Sequence, residues 1–85
     1  MEEKEIAVVT DFFAKVGVVA LKVLNDEIKI GDKLHFKGHT TDFTEDVKSM
    51  QKEHIDIDVA KVGDDIGIKV SSRVRKHDKV YKVIE

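Results

Sequence analysis

The residues of this chain able to do chemistry are four histidines, three serines, seventeen carboxylates and fifteen lysines and arginines. His35, His39 and the neighbouring Asp42 are the only grouping with a ligand-like flavour. Their spacing lies on a strand running into a loop, not along one helical face, so it does not make the ligands converge, and a metal site needs convergence and supporting partners. Solvated histidines are the favoured reading, and a metal or small-ligand site at His35 and His39 the weaker one. Ser49, Ser71 and Ser72 lie in no G-x-S-x-G elbow. Asp56, Asp58, Asp64 and Asp65 read as acidic surface and turn residues rather than a general acid–base pair. No cysteine is present, which excludes thiolate metal sites, disulfides and a cysteine nucleophile. No catalytic group, cofactor or metal is expected.

Charge is distributed unevenly. Residues 69–85 carry Lys69, Arg73, Arg75, Lys76, Lys79 and Lys82 against two carboxylates, a net +4, while the other 68 residues carry −6. A local basic face can bind phosphate although the whole chain is acidic. Alternation puts Arg73 and Arg75 on one side and Val74 on the other. Only Tyr81 interleaves this segment, which is poor support for a base-stacking platform. The alternative is a solvated surface.

The elements that position these groups follow from the apolar residue types. Valine (13) and isoleucine (8) far outnumber leucine (3) and alanine (4). β-Branched side chains are stiff and suit a pleated, half-buried surface. An 85-residue chain of 9.6 kDa is one small domain, expected over 1–85 with residues 1–5 frayed. Ile6–Phe13 and Lys15–Leu24 predict a hairpin turning around Asp11–Lys15, with Gly17 at a bulge or a close backbone approach. Lys33–Lys37 alternates as a half-buried strand. Phe43–Lys52 predicts a bulged strand in preference to a single helical turn. Ile55, Ile57 and Val59 alternate, with a long acidic loop equally possible; Ile66, Ile68 and Val70 alternate again, and Val80, Val83 and Ile84 close the chain. About six strands result. There is no long apolar run and no basic N-terminal region before an apolar one, so neither a membrane span nor a secretory leader is expected, and the location expected is cytoplasmic. The scarcity of amides, Asn25 and Gln51 alone, suits a protein that works hot.

One turn pattern recurs. Lys29-Ile30-Gly31-Asp32 and Lys61-Val62-Gly63-Asp64 each precede a strand, and Lys76-His77-Asp78 repeats the pattern with His77 where glycine stood. Glycine supplies a positive φ, and aspartate bonds nearby backbone N–H groups. Gly31, Asp32, Gly63 and Asp64 are therefore structural turn residues, and His77 is expected at positive φ. Thr40-Thr41-Asp42-Phe43 reads as an Asx-type turn with Phe43 plugging one barrel end, a recognition loop being the alternative. Short strands with such turns and no helix predict a closed barrel, which removes exposed strand edges; a sandwich is the other possibility.

The run Lys15-Val16-Gly17-Val18-Val19-Ala20, then Ile28–Leu34, then Val47-Lys48-Ser49-Met50, then Ala60–Ile68, resembles the second domain of translational GTPases such as elongation factor Tu. Gly38–Phe43 and Asp78–Val83 look closer still to stand-alone translation elongation factor-like proteins. The resemblance covers about Ile6 to Val83 and implies a closed six-stranded β-barrel. A similar barrel is appended to some members of the U32 peptidase family. No P-loop is present, so GTP binding does not carry over, and no aminoacyl- or tRNA-contacting residue maps onto a matching position.

The resemblance and the basic segment together imply a non-catalytic binding module. Its first reading is recognition of structured RNA or ribonucleoprotein through Lys69, Arg73, Arg75, Lys76, Lys79 and Lys82. The alternative is a protein-interaction adaptor docking on a larger enzyme such as a U32-peptidase-like partner.

Overall fold

The structure is a computed structural model and describes residues 2–84. Ten strands and no helix are formed among them: β1 (Glu2–Phe13), β2 (Val18–Val23), β3 (Ile28–Lys29), β4 (Lys33–Lys37), β5 (Asp42–Asp46), β6 (Met50–Lys52), β7 (Ile55–Ile57), β8 (Val59–Ala60), β9 (Asp65–Lys69) and β10 (Lys79–Ile84). Eight of them make one sheet in the order β5-β4-β10-β1-β2-β9-β6-β7, every neighbouring pair antiparallel; β3 and β8 form a separate two-stranded ladder.

The all-β expectation therefore holds, and the closed six-stranded barrel is corrected. Edge strands β5 and β7 do not pair with each other, so the hydrogen-bonded sheet stays open. The β3–β8 ladder is prolonged by Ile30 N–H donating to Asp58 O, and the β3–β4 turn is tied to the β5–β6 connection by Gly31 N–H donating to Val47 O and Val47 N–H to Asp32 O. These also explain why Phe43–Lys52 is not one bulged strand. Val47 is buried and its backbone is pinned to the β3–β4 turn, which separates β5 from β6.

Strand β1 begins earlier than expected. Glu2–Glu5 pair with Ile84–Tyr81, so these residues are strand, not a frayed start; Met1 lies outside the described residues. Register shifts between Glu5 and Ala7 against β10, and between Val9 and Asp11 against β2, mark bulges. The first lets consecutive Ile6 and Ala7 both be buried, which strict alternation forbids. Bulges bend and twist this long strand so that the sheet wraps around one core. Ile6 and Val9 of β1, Leu21 of β2, Phe36 of β4, Met50 of β6, Ile68 of β9 and Val80 of β10 all join a single buried cluster. Phe43 packs onto it, its ring stacked on Phe36 at 5.1 Å.

The three strand-launching turns are one device used three times. Asp32 N–H donates to Lys29 O, Asp64 N–H to Lys61 O and Asp78 N–H to Arg75 O. In each, the Asp Oδ2 accepts from the backbone N–H of the first residue at 2.9 Å. The third position has φ of 97° at Gly31, 95° at Gly63 and 75° at His77. This is the type II pattern, which demands positive φ there. His77 takes it without glycine's freedom, as expected from the repeat.

Candidate functional site

The inner face of the sheet is filled by the core, so any site lies on its outer face or at its ends. Three surfaces there hold the chemically able residues.

The first is the basic segment. Arg73, Arg75 and Lys76 are exposed on the loop between β9 and β10, with Val74 buried between the two arginines. With Asp11, Phe12 and Ala14 they border a shallow depression of about 400 Å³. Lys69 is exposed on β9, opposite Val18. The other two cations are spoken for. Lys82 Nζ lies 3.4 Å from Asp32 and 3.7 Å from Asp26, with its side chain only 17% exposed. Lys79 Nζ is 3.8 Å from Glu5. The six residues therefore do not make one free basic face: Lys79 and Lys82 neutralise carboxylates from other strands. Asp26 is held below the usual carboxylate range, first by the backbone N–H of Glu27 and then by the Lys82 charge.

The second is the histidine expected to be solvated. His35 Nδ1 lies 2.8 Å from Glu3 Oε2 and Nε2 2.5 Å from Asp42 Oδ1. Two carboxylates can both be served only when both ring nitrogens carry protons. The hydrogen bond to Asp42, helped by Glu3, pushes the His35 imidazole above its ordinary value, and the same bond holds Asp42 below its own. With both nitrogens engaged, His35 is an ion-pair clamp joining β1, β4 and β5, not an open ligand. His39 is exposed in the following loop. Among the described residues no three His, Cys, Asp or Glu side chains are grouped to hold a metal ion. Ser71 N–H and Oγ both donate to Glu45 Oε1 at 2.8 Å, which closes that loop onto β5.

The turn aspartates have a second partner each. Asp32 reaches Lys82, and Asp64 Oδ1 accepts from Lys52 Nζ at 2.9 Å. The Lys52 contact, then the Lys61 N–H bond, lower the Asp64 carboxyl, and Asp64 raises Lys52.

The third surface was not legible in the sequence. A groove of about 600 Å³ crosses the outer face of β2, β9 and β6. Its floor includes Val18 and Ala20 of β2 and Gly67 of β9, with Ala20 directly opposite Gly67. Two small residues facing each other on the middle of a sheet make a trough. One wall is the tip of the β1–β2 hairpin, where Phe13 is 50% and Val16 58% exposed. That tip is braced from behind: Gly17 has φ of 66°, its carbonyl accepts from Val70 N–H at 2.8 Å, and an added Cβ would sit 3.3 Å from Val70 O. Gly17 is thus at the close approach its position suggested. The opposite wall is Glu53-His54, the two-residue turn between β6 and β7. Both residues have positive φ, 53° and 65°. A type I′ hairpin requires this and normally uses Asn-Gly or Asp-Gly.

No family model matches the chain. Against characterised and curated proteins, 82 of its residues, 95% of the chain, align at 42% identity with an uncharacterized protease of Methanocaldococcus jannaschii. The chain spans about a fifth of the length of that relative. Among solved structures, the C-terminal domain of a Geobacillus thermoleovorans protein assigned to the U32 peptidases matches with a TM-score of 0.88 at 17% identity, over 95% of this chain and 93% of that one. Its selenomethionine variant matches with a TM-score of 0.85 at 16% identity, over 91% and 96%. At such identities the likeness shows the fold.

These matches correct the resemblance to translation factors. The relative in sequence is a protease and the neighbours in fold are C-terminal domains of a peptidase, so neither an elongation factor-like identity nor recognition of RNA or ribonucleoprotein stands. Among the described residues no helix is long and apolar enough to cross a membrane.

Proposed function

We propose that this chain is an accessory module that docks on a larger U32-peptidase-like partner and contributes no catalytic group itself. One observation carries the reading: almost the whole chain aligns at 42% identity with only a fifth of a protease. A segment of that size, folded around its own core, is an appended module beside a larger body. The fold likeness to peptidase C-terminal domains supports the same placement. The non-catalytic part rests on the side chains. Ser71 bonds Glu45 through both its N–H and its Oγ, a loop-closing contact that brings no histidine to the hydroxyl, and both nitrogens of His35 are held by carboxylates.

A docking domain with an apolar outer groove forms a complex that tolerates salt, because apolar burial is not screened. The test is affinity capture with the tagged chain from the lysate of its source, at about 50 and 300 mM salt, with nuclease treatment. Retention of one U32-type peptidase at both salts, identified by mass spectrometry, is the expected result. A catch that excludes any peptidase overturns the reading.

A further inference from the structure

The groove between the β1–β2 tip and the β6–β7 turn has a chemistry that narrows what docks there. Its floor is apolar and lowered by Ala20 and Gly67; its near wall offers the exposed faces of Phe13 and Val16. Its charged lining is acidic. Glu53 makes no ion pair among the described residues, and Asp65, although 3.6 Å from Lys22, keeps its side chain 73% exposed. The far wall is held in a costly shape, since Glu53 and His54 both occupy the left-handed region that side-chain-bearing residues adopt reluctantly. Asn-Gly would make the same turn with less strain, and the pair that carries the strain is one whose side chains line the groove.

We infer that this groove seats an extended peptide segment that inserts apolar side chains over Ala20 and Gly67 and presents lysine or arginine to Glu53 and Asp65. The inference deepens the docking reading by naming the surface and the chemistry of its occupant. The segment lies across the sheet between the two hairpin tips. Its apolar side chains displace water from Phe13 and Val16, and its cations settle on the acidic rim. The basic loop at Arg73, Arg75 and Lys76 lies in a separate depression, lined by the other side of the β1–β2 hairpin.

The probe is a short fluorescein-labelled peptide alternating leucine and lysine, titrated into the whole chain and read by anisotropy. Three variants cut the interaction in different places. Ala20→Gln fills the trough from an outward-facing position. Glu53→Lys with Asp65→Lys reverses the rim. Glu53→Asn with His54→Gly keeps the turn and removes both side chains of the far wall. Each is expected to weaken binding about tenfold or more, about 1.4 kcal/mol, and the third to raise the melting temperature as well. A peptide with glutamate in place of lysine should bind at least about tenfold more weakly than the lysine peptide. Arg73→Glu with Arg75→Glu, in the other depression, should leave the affinity within about twofold.

Equal binding of the lysine and glutamate peptides, or unchanged affinity in Ala20→Gln with its melting curve intact, overturns the inference. So does a wild-type chain that sediments as a dimer and binds no peptide, because a second copy would then occupy the groove. The peptide reads the groove without any peptidase present. Failure here therefore leaves the docking reading standing, and failure to capture a peptidase leaves this result standing.

Discussion

Gly38 provides the sharpest test of how the strand ends are locked together. It follows β4, and its N–H donates to Thr41 O at 2.8 Å in a tight turn. A Cβ added there would fall 1.9 Å from Asp78 Oδ1 and 2.4 Å from its Cγ. Asp78 is 7% exposed, and its Oδ2 accepts from Arg75 N–H to close the third turn of the repeat. In Gly38→Ala the carboxylate must swing away. It then loses a charge-assisted hydrogen bond with a net value of about 1.5–3 kcal/mol, or it stays and strains its surroundings by about 1–3 kcal/mol. The stiffer unfolded chain returns about 0.4–1 kcal/mol. The expected net loss is about 1.5 kcal/mol, which lowers the melting temperature of a domain this size by roughly 6–12 °C. Urea unfolding followed by circular dichroism gives the free energy. Asp78→Ala removes the obstruction together with the turn bond, so Gly38→Ala made on that background should cost less than about 0.5 kcal/mol. Asp32→Ala, which breaks the equivalent bond in the first turn, is the control and should leave the cost of Gly38→Ala unchanged. A Gly38→Ala chain as stable as the wild type, or an equal cost on both backgrounds, refutes the reasoning.

Other outcomes follow from the same geometry. His77→Gly relieves a left-handed residue at about 1–2 kcal/mol against about 0.5–1 kcal/mol of added unfolded-state entropy, so it should stabilise by about 0.5–1 kcal/mol; Gly63→Ala should destabilise by about 1–2 kcal/mol, both by urea midpoint. Phe36→Ala removes a fully buried ring stacked on Phe43 and should cost about 3–5 kcal/mol. The His35 clamp makes stability pH-dependent. The folded imidazole is raised above its ordinary 6.5, so its contribution is complete below that pH and is lost as pH rises through the raised value. Asp42 is lowered from 3.8, so its contribution is present above that pH and is lost as pH falls through the lowered value. The stability difference between wild type and His35→Gln should therefore be largest between about pH 4 and 6.5 and shrink on either side. A difference independent of pH, or a proton NMR titration of His35 at an ordinary midpoint, would reject the clamp.

What was legible in the sequence was local. Lys33–Lys37 alternates because one strand has one buried face, with Leu34 and Phe36 inward. The Gly-Asp turns were legible because each hydrogen bond spans three residues, and even His77 could be placed by position within the repeat. What was not legible depends on distant partners. The break at Val47 comes from bonds to Gly31 and Asp32 across the molecule. The openness of the sheet depends on whether β5 meets β7, and no residue pattern within either strand encodes that. The basic segment looked uniform because Glu5, Asp26 and Asp32, which claim Lys79 and Lys82, lie about fifty residues or more away in sequence. The Glu53-His54 turn carries neither of the residues that normally announce a type I′ hairpin. The groove draws its floor from two strands some forty-seven positions apart, and Ala20 or Gly67 alone carries no signal.

The geometry also decides where on this fold binding can evolve. The inward face is spent: residues from all the long strands meet in one core, and a ligand there would have to displace packing that holds an 85-residue domain together. The outward face of β4, β10 and β1 is crossed by ion pairs and the His35 clamp, which cover the sheet with satisfied charge. The outward face of β2, β9 and β6 differs in kind. Its Lys22–Asp65 pair sits to one side, its centre is Ala20 against Gly67, and the two hairpin tips beside it expose apolar and acidic groups. A large β-branched residue at 20 would raise β propensity and stabilise its strand; at 67 an added Cβ would fall 3.2 Å from Val18 Cγ1, so that glycine leaves room for the Val18 side chain. A small residue at 20, beside a turn strained at two consecutive residues, puts two separate stability costs on one patch of surface. Costs that coincide in space fit a surface that receives a partner, and this is why we place the proposed docking in the groove rather than on the more conspicuous basic loop.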